Sequence, residues 1–132
     1  VDLPYDESKS FFNKLKKRGI DLIRLISPTT DSKRLKKMLA SSSGYLYYVS
    51  LKGITGAELK NFKEVKNKVK KIKSLTNLPV VVGFGIKDKV TAKKMASFSD
   101  GIVVGTKIID FIEKKSSHQI SSFTKSLKKA IN

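Results

Sequence analysis

The hydrophobic residues of the chain follow two patterns that alternate from one end to the other. Short runs of Ile, Leu, Val and Tyr are typical of buried strands, whereas apolar residues three or four positions apart, with lysines opposite, are typical of amphipathic helices. The predicted strands are residues 20–27, 45–51, 79–83 and 101–105. The predicted helices are residues 8–18, 32–39, 62–72, 90–98, 108–112 and 120–131.

Local signals mark where the first two helices end and begin. Gly19 follows the first helix and is a typical C-cap, because glycine readily adopts the left-handed backbone conformation found there. Asp31 stands in N-cap position before the second helix, where a carboxylate accepts hydrogen bonds from free backbone N–H groups. Both signals support the helix assignment.

The alternation of apolar strands and helices indicates a parallel sheet covered by helices, in one open sheet or a closed barrel. Dividing 132 residues among four strand–helix units gives 33 each, and a complete eight-unit barrel of about 250 residues has about 31 per unit. The chain therefore has the size of half a barrel. No linker or second domain interrupts residues 1–132.

Composition narrows the chemistry that the chain can perform. It has no cysteine and a single histidine, His118, which excludes disulfides, thiolate metal sites, cysteine nucleophiles and multi-histidine metal sites. Neither a bilayer-spanning apolar run nor a signal-peptide pattern is present. A soluble cytoplasmic protein, without a membrane partner, is expected.

The net charge of +17 suits nucleic-acid binding. Of the 28 basic residues, however, only three are arginines, and nucleic-acid recognition favours arginine interleaved with aromatic residues. The lysines recur on the water-facing sides of the predicted helices. We therefore interpret the positive charge as that of lysines on solvent-exposed helix faces, which also attract anions. Nucleic-acid binding is kept as a minor alternative.

Two predicted strands end in glycine. The run 79–86 contains Gly83 and Gly85, and the run 101–104 leads into Gly105. Ligands of parallel α/β folds bind at the carboxyl ends of strands, where glycine lets several N–H groups converge on one anion beside a helix N-terminus. Each glycine alone is explained as a turn residue, but two neighbouring strands that end alike favour a phosphate site.

The carboxylates offer few candidates for acid–base catalysis. Only eleven exist, and most precede strands or lie at helix starts or on helix faces, where capping or surface roles explain them. Asp110 is expected at the end of the short helix, and Asp2 alone at the carboxyl end of a strand. No pair of carboxylates is therefore predicted at the ligand side.

Two aromatic residues are candidates for a pocket wall. Tyr47 shares one strand face with Tyr45 and Val49 and lies nearer the ligand end, although an aromatic residue in a strand is also explained as core. Phe84, between two glycines, either lines a pocket or plugs the top of a barrel.

With these residues assembled, the chain resembles the alpha subunit of tryptophan synthase. The matching motifs occur in the family's order and span nearly all 132 residues, and the Thr-Gly-Ala loop together with the Gly-Phe-Gly-Ile strand end is the most specific combination. The motifs are Asp2-Leu3-Pro4, Ile26-Ser27-Pro28-Thr29-Thr30, Gly44-Tyr45-Leu46-Tyr47 with Ser50, Gly53-Ile54-Thr55-Gly56-Ala57, Pro79 through Gly83-Phe84-Gly85-Ile86, and Asp100-Gly101-Ile102-Val103-Val104-Gly105-Thr106.

The resemblance implies an eight-stranded (β/α) barrel, or TIM barrel, of which residues 1–132 match the second half, from the end of strand four to helix eight. It implies a carbon–carbon lyase of tryptophan biosynthesis, which cleaves indole-3-glycerol phosphate by a retro-aldol reaction to indole and glyceraldehyde 3-phosphate. The family's two catalytic carboxylates lie in the first half of the barrel. The resemblance therefore implies no catalytic residue in this chain, which alone is expected to be inactive.

The resemblance also implies roles for individual residues, carried over by motif. Backbone around three glycines and the hydroxyl of Thr106 would hold the substrate's phosphate, and the loop 52–61 would close over it. Asp2 would be a positioning residue. The implied substrate-binding residues are Tyr47, Thr55, Gly56, Phe84, Gly85, Val103, Gly105 and Thr106.

The implied partner is the tryptophan synthase beta subunit, in an alpha2-beta2 assembly. The beta subunit holds pyridoxal phosphate, whereas the alpha subunit uses no cofactor or metal. A true half-barrel would leave strand edges and an apolar inner face open, which predicts self-association. The alternatives left open are a catalytically silent phosphate-binding half-barrel and part of another phosphate-binding barrel enzyme.

Overall fold

The computed structural model describes residues 4–5, 7–49, 58–83 and 85–132, apart from the side chains of 58–61. Within these residues, strands and helices alternate as the hydrophobic pattern predicts. The elements are α1 (Lys9–Lys16), β1 (Arg24–Ile26), α2 (Ser32–Ala40), β2 (Leu46–Val49), α3 (Glu58–Lys73), β3 (Val80–Gly83), α4 (Lys89–Ala96), β4 (Gly101–Val103), α5 (Thr106–Glu113) and α6 (Ser117–Ile131). None of the described helices is long and apolar enough to cross a membrane.

The four strands form one parallel sheet in the order β1-β2-β3-β4. Each strand is shorter than its apolar run predicts. The first run begins at residue 20, but Leu22 donates its backbone N–H to the hydroxyl of Ser43, at 3.0 Å, rather than to a neighbouring strand. Strand pairing therefore starts only at Arg24, opposite Leu46.

The two faces of the sheet differ in how well they are covered. The side chains of one face lie under the helices and are almost completely buried; they include Ile26, Leu46, Tyr48, Val80 and Val82. Helical residues such as Leu35, Val69, Ile72, Met95 and Leu127 pack on this face and form the core. Removal of these side chains from water is the main force that holds helices to sheet.

The other face, here called the inner face, is only half-buried in the described part of the chain. The register aligns Leu25 with Tyr47 and Tyr47 with Val81 across three strands, and Val103 lies beside Gly83. All four apolar side chains keep part of their surface exposed. In a closed parallel barrel, this face points to the interior.

The predicted helix caps are confirmed. The carboxylate of Asp31 accepts hydrogen bonds from the N–H groups of Lys33 and Arg34, at 2.8 and 2.9 Å, and Asp88 accepts one from Thr91, at 2.7 Å. The hydrogen bonds from the backbone lower the pKa of both carboxyl groups. Gly19 has the left-handed conformation expected of a C-cap, with φ +67°.

Some lysines do more than solvate the surface. Lys68 donates to the backbone carbonyl of Thr30, at 2.8 Å, and Lys71 to the hydroxyl of Ser32, at 3.1 Å. Both lysines lie on α3 and their acceptors lie at the start of α2. These contacts join two neighbouring helices on the covered side of the sheet.

Asp100 joins three elements at the amino ends of β3 and β4. Its carboxylate accepts a hydrogen bond from Val80 N–H, at 2.8 Å, and forms an ion pair with Lys73 of α3, at 2.6 Å. Burial raises the pKa of Asp100, but the hydrogen bonds from Lys73 and Val80 outweigh it, and the net shift is downward. Asp100 therefore stabilises the fold in its ionised form.

We predict that Asp100→Ala lowers the free energy of unfolding by about 1–2 kcal/mol at pH 7, because the Val80 N–H loses its acceptor. Asp100→Asn keeps an acceptor and loses only the ion pair, whose side chains are 39% and 37% exposed and which is therefore worth at most about 1 kcal/mol. Urea unfolding of both variants measures the difference.

The pH dependence provides a second test of Asp100. Because its folded-state pKa is lowered, its contribution is complete above the ordinary pKa of aspartate and disappears as the pH falls through the lowered value. The stability gap between the native chain and Asp100→Asn is therefore expected to narrow in acid. An unchanged gap at pH 7 and pH 3 would contradict the assignment.

Candidate functional site

The carboxyl ends of β3 and β4 lie side by side, because Gly83 pairs with Val103 in the parallel register. The chain leaves β3 through Gly85, whose φ of +74° is strongly unfavourable for residues with a Cβ. It leaves β4 through Gly105, which directly precedes α5. Two glycine-containing loops and one helix N-terminus thus meet at one edge of the sheet.

An open cavity of about 510 Å³ lies between these loops. Its walls combine backbone, aliphatic side chains and a few polar groups. The lining residues are Gly85, Ile86, Lys87, Val103, Val104, Gly105, Thr106, Lys107 and Asp110. The volume is in the range of small-molecule sites.

The start of α5 gives this cavity a positive potential. Gly105 is the N-cap and provides no side chain to cap the helix. Its carbonyl accepts from the N–H groups of Ile108 and Ile109, at 2.8 and 3.1 Å, so the N–H groups of Thr106 and Lys107 lie ahead of the first helical hydrogen bonds. Such free N–H groups and the helix dipole attract anions.

Two lysines add to this potential. Lys107 lies in the first turn of α5, where a positive charge is opposed by the helix dipole, and its ammonium nitrogen stands 5.0 Å from the centre of the Phe111 ring. Lys87 is an exposed residue on the opposite loop. The single described carboxylate in the lining is Asp110. An anion at the mouth of the cavity would relieve the repulsion between Lys107 and the helix.

The structure brings together four of the residues singled out from sequence. Gly85, Val103, Gly105 and Thr106 all line the cavity. Tyr47 lies on the inner face, next to these loops but outside the set that lines the cavity. The other four, Asp2, Thr55, Gly56 and Phe84, lie outside the described residues, as does most of the loop 52–61.

Tyr47 takes its place on the inner face because Gly83 has no side chain. The phenol ring and hydroxyl of Tyr47 lie over the Cα of Gly83, so closely that a Cβ at residue 83 would overlap them. Tyr47 is half-buried. The glycine therefore lets an aromatic side chain lie flat along the sheet towards the ligand end.

One expectation about the carboxylates was wrong. Asp110 was placed at the end of a short helix, but α5 begins earlier, at Thr106, and continues to Glu113. Asp110 therefore lies in the second turn and lines the cavity. The apolar residues on both sides of Asp110 continue the helical pattern beyond this residue; they are Ile108, Ile109, Phe111 and Ile112.

The sequence reasoning also missed Lys87 and Lys107 as cavity residues. A signal for Lys107 was available, because it directly follows Thr106 at the start of a helix that faces a strand end. No group of three or more metal-binding side chains was found when residues 4–5, 7–49, 58–83 and 85–132 were searched. The described lining of the cavity offers backbone N–H, hydroxyl and ammonium groups.

Comparisons with known proteins give a consistent result. The family model described as "Tryptophan synthase alpha chain" matches residues 1–131. The tryptophan synthase alpha chain of Methanocaldococcus jannaschii is 43% identical over 113 residues, which are 86% of this chain and 40% of that protein. That of Nitrosomonas europaea is 38% identical over 136 residues, which are 100% of this chain and 50% of that protein.

Solved structures agree with the sequence relatives. The alpha subunit from Campylobacter jejuni superposes with a TM-score of 0.86 at 33% identity, over 96% of this chain and 51% of that one. The alpha subunit from Legionella pneumophila superposes with a TM-score of 0.81 at 34% identity, over 99% of this chain and 50% of that one. These structures are TIM barrels, so the predicted fold class is confirmed. The chain spans about half the length of the relatives that it matches.

We predict that Gly83→Ala lowers the free energy of unfolding by about 1–3 kcal/mol, because the new methyl group displaces the Tyr47 ring. In a Tyr47→Ala background the same change should cost clearly less, because the overlap is gone. Gly105→Ala is the control: no atom lies within 4 Å of a Cβ there and its φ is −112°. Equal losses at the two glycines in urea unfolding would contradict the packing of Tyr47 on Gly83.

Proposed function

The chain belongs to the tryptophan synthase alpha chain family, and from this we propose that it acts as the second half of one (β/α)8 barrel domain. In this proposal residues 1–132 run from the end of strand four to helix eight, and β1 to β4 are strands five to eight. The complete subunit would cleave indole-3-glycerol phosphate to indole and glyceraldehyde 3-phosphate. The observation that carries the proposal is the cavity shared by the two glycine loops and the N-terminus of α5.

This half would hold the phosphate of the substrate. The backbone at Gly85 and Gly105 approaches the cavity without side chains, and Thr106 adds a hydroxyl at the helix start. Barrel enzymes commonly build their phosphate site from the loops after strands seven and eight and the N-terminus of a short helix. The Lys107 ammonium would add a direct charge interaction.

The remaining predicted residues would form the wall beside the phosphate. Val103 lines the cavity, and Tyr47 lies on the inner face two strands away, in the direction of the barrel interior. We propose that these two residues contact the indole and glycerol parts of the substrate, together with Thr55, Gly56 and Phe84. Asp2 would be a positioning residue at the end of strand four.

The bond-breaking groups would lie outside this chain. In a retro-aldol cleavage a base removes the proton of the substrate hydroxyl, the carbon–carbon bond breaks, and an acid protonates the indole carbon. The cavity has a single described carboxylate, Asp110, beside the phosphate-binding elements rather than an acid–base pair. This half would therefore bind and orient the substrate, while the family's two carboxylates in the first half would perform the proton transfers.

The proposal also implies two partners for this chain: the other half of the barrel and the beta subunit. The inner face carries half-exposed Leu25, Tyr47, Val81 and Val103, which the other four strand–helix units would cover. The beta subunit would be the partner of the complete alpha subunit and would hold the pyridoxal phosphate, whereas the alpha chain would need no cofactor. Self-association of the chain alone through its inner face, and a cytoplasmic location, stay predictions.

A catalytically silent phosphate-binding half-barrel is the second candidate. It uses the same cavity, and the absence of an acid–base pair among the cavity's described residues favours it for the chain on its own. Nucleic-acid binding has no comparable support. Lys68 and Lys71 donate hydrogen bonds to acceptors at the start of α2, and other lysines lie on separate helices such as α4 and α6.

We predict that the chain binds glycerol 3-phosphate and that the amide signals of Gly85 and Gly105 shift in NMR titrations. Lys107→Ala should weaken binding about tenfold, the loss expected for one charge-assisted hydrogen bond of about 1.5 kcal/mol. Lys93→Ala is the matched control, because this exposed lysine of α4 is outside the cavity lining. Unshifted glycine amides at saturating ligand, or equal losses in both variants, would overturn the phosphate site.

We further predict that the purified chain releases no indole from indole-3-glycerol phosphate, whereas a fusion behind the first half of a relative's alpha subunit does. The alpha chain of Acinetobacter baumannii, 45% identical over 109 residues, is a suitable donor. Indole release is followed by its absorbance or fluorescence. Turnover by the chain alone would refute the assignment of catalysis to the missing half, and an inactive but folded fusion would favour the silent half-barrel.

A further inference from the structure

A second candidate site lies on the helix-covered face of the sheet, around Arg24. This residue opens β1 and shares the face of Ile26, where the neighbouring side chains Leu46 and Tyr48 are apolar. Only 6% of Arg24 is exposed. A buried guanidinium is costly unless it is paired with a negative charge and its N–H groups are all bonded.

The described partners of Arg24 do not meet this requirement. One terminal nitrogen donates to the hydroxyl oxygens of Ser8 and Ser41, at 2.6 and 3.2 Å, and both acceptors are neutral. The Nε atom is buried and has no hydrogen-bond partner. The guanidinium carbon lies 5.6 Å from the centre of the Tyr5 ring, a favourable cation–π contact.

Arg24 lines an open cavity of about 460 Å³ between α1 and α2. The polar groups around it are those that bind oxyanions: Lys9, Lys37 and Asn13 join Arg24 and the two serines in the lining. None of the lining residues among those that the structure describes is acidic. The cavity therefore concentrates positive charge around a buried cation.

The beginning of α1 strengthens this potential. Ser8 is the N-cap, but its hydroxyl donates to the carbonyl of Tyr5, at 2.6 Å, instead of capping the helix. No acidic residue lies in the first turn of α1, and Lys9 opens it. The C-terminal end of α2 at Ser41 offsets only part of the charge of Arg24.

We propose that the cavity at Arg24 binds a small phosphate-type oxyanion, either free or as the end group of a small metabolite. Arg24 and the two lysines provide the charge, Asn13 and the free N–H groups at the start of α1 provide further donors, and the anion joins α1 to α2. Burial lowers the pKa of Arg24 and Tyr5 opposes this shift, and no carboxylate is among the described partners of Arg24. This site is independent of the cavity at α5.

The test is an NMR titration of the full chain with inorganic phosphate and, separately, with glycerol 3-phosphate. The amides of Ser8, Lys9 and Ser41 are expected to shift with a dissociation constant in the millimolar range or below. A stronger response to glycerol 3-phosphate would indicate an organic phosphate, and an equal response the free ion. No shift at these amides at saturating phosphate overturns the proposal.

Variants separate this site from the one at α5. Arg24→Met, with circular dichroism to verify folding, should abolish the shifts at Ser8 and Ser41 and leave those at Gly85 and Gly105 unchanged. Lys107→Ala should weaken the response at Gly85 and Gly105 about tenfold and leave the shifts at Ser8 and Ser41 unchanged. Shifts at Ser8 and Ser41 that persist in the folded Arg24→Met variant, or loss of both sets, would overturn the independent site, whereas absence of the Gly85 and Gly105 shifts in the native chain would overturn only the proposed function.

Two further tests leave Arg24 unchanged and alter the charged residues near it. The double change Lys9→Ala and Lys37→Ala should weaken binding at least fivefold, compared with Lys125→Ala and Lys129→Ala on α6, which alter the net charge equally. Asp6→Asn tests an internal counter-ion, because Asp6 is two positions before Ser8 in sequence. Binding that appears only in Asp6→Asn would show that this carboxylate occupies the site and would overturn the proposal.

Discussion

The parallel register of β3 and β4 is the constraint on which the candidate site depends. Because Gly83 lies opposite Val103, both strands end at one level and their loops open into the same cavity. A shift by one residue would move every side chain of a strand to the other face. It would bury Val81 under the helices and turn Val82 to the inner face. The buried residues that fix the core therefore also fix where the glycine loops meet.

The two faces of the sheet differ in burial and packing. On the covered face, long apolar side chains from α2, α3, α4 and α6 exclude water and hold the strands in place. The inner face instead carries partly exposed apolar residues and the Tyr47 ring on Gly83. The chain thus combines a well-packed core under the helices with an inner face that stays partly exposed, and it spans about half the length of the relatives that it matches.

Much of the fold could be predicted from sequence because its signals are local. The spacing of apolar residues gave the helices, and Asp31 and Gly19 act through hydrogen bonds and backbone angles within a few residues. The meeting of the two glycine loops was predictable because the carboxyl ends of parallel strands lie at one edge of the sheet. Asp110 was misplaced because the apolar pattern does not mark the ends of the helix: α5 starts two residues before Ile108 and continues to Glu113.

Arg24 shows a different limit of sequence reasoning. Its two-residue spacing from Ile26 indicates the buried face, but its serine partners are 16 and 17 positions away in the chain. Likewise, the contact of Lys68 with Thr30 joins residues 38 positions apart. Long flexible side chains reach such partners only after the helices have packed, and no local pattern marks them.

The loops at Gly85 and Gly105 have a consequence for how this protein can vary. The proposed site, because it is formed largely by main-chain N–H groups, depends little on the identity of the surrounding residues other than Lys107 and Gly85, whose φ of +74° disfavours a Cβ. It is instead vulnerable to a change in loop length, because one inserted or deleted residue would redirect every N–H group. Drift among relatives should therefore appear here as exchanged residues within loops of constant length.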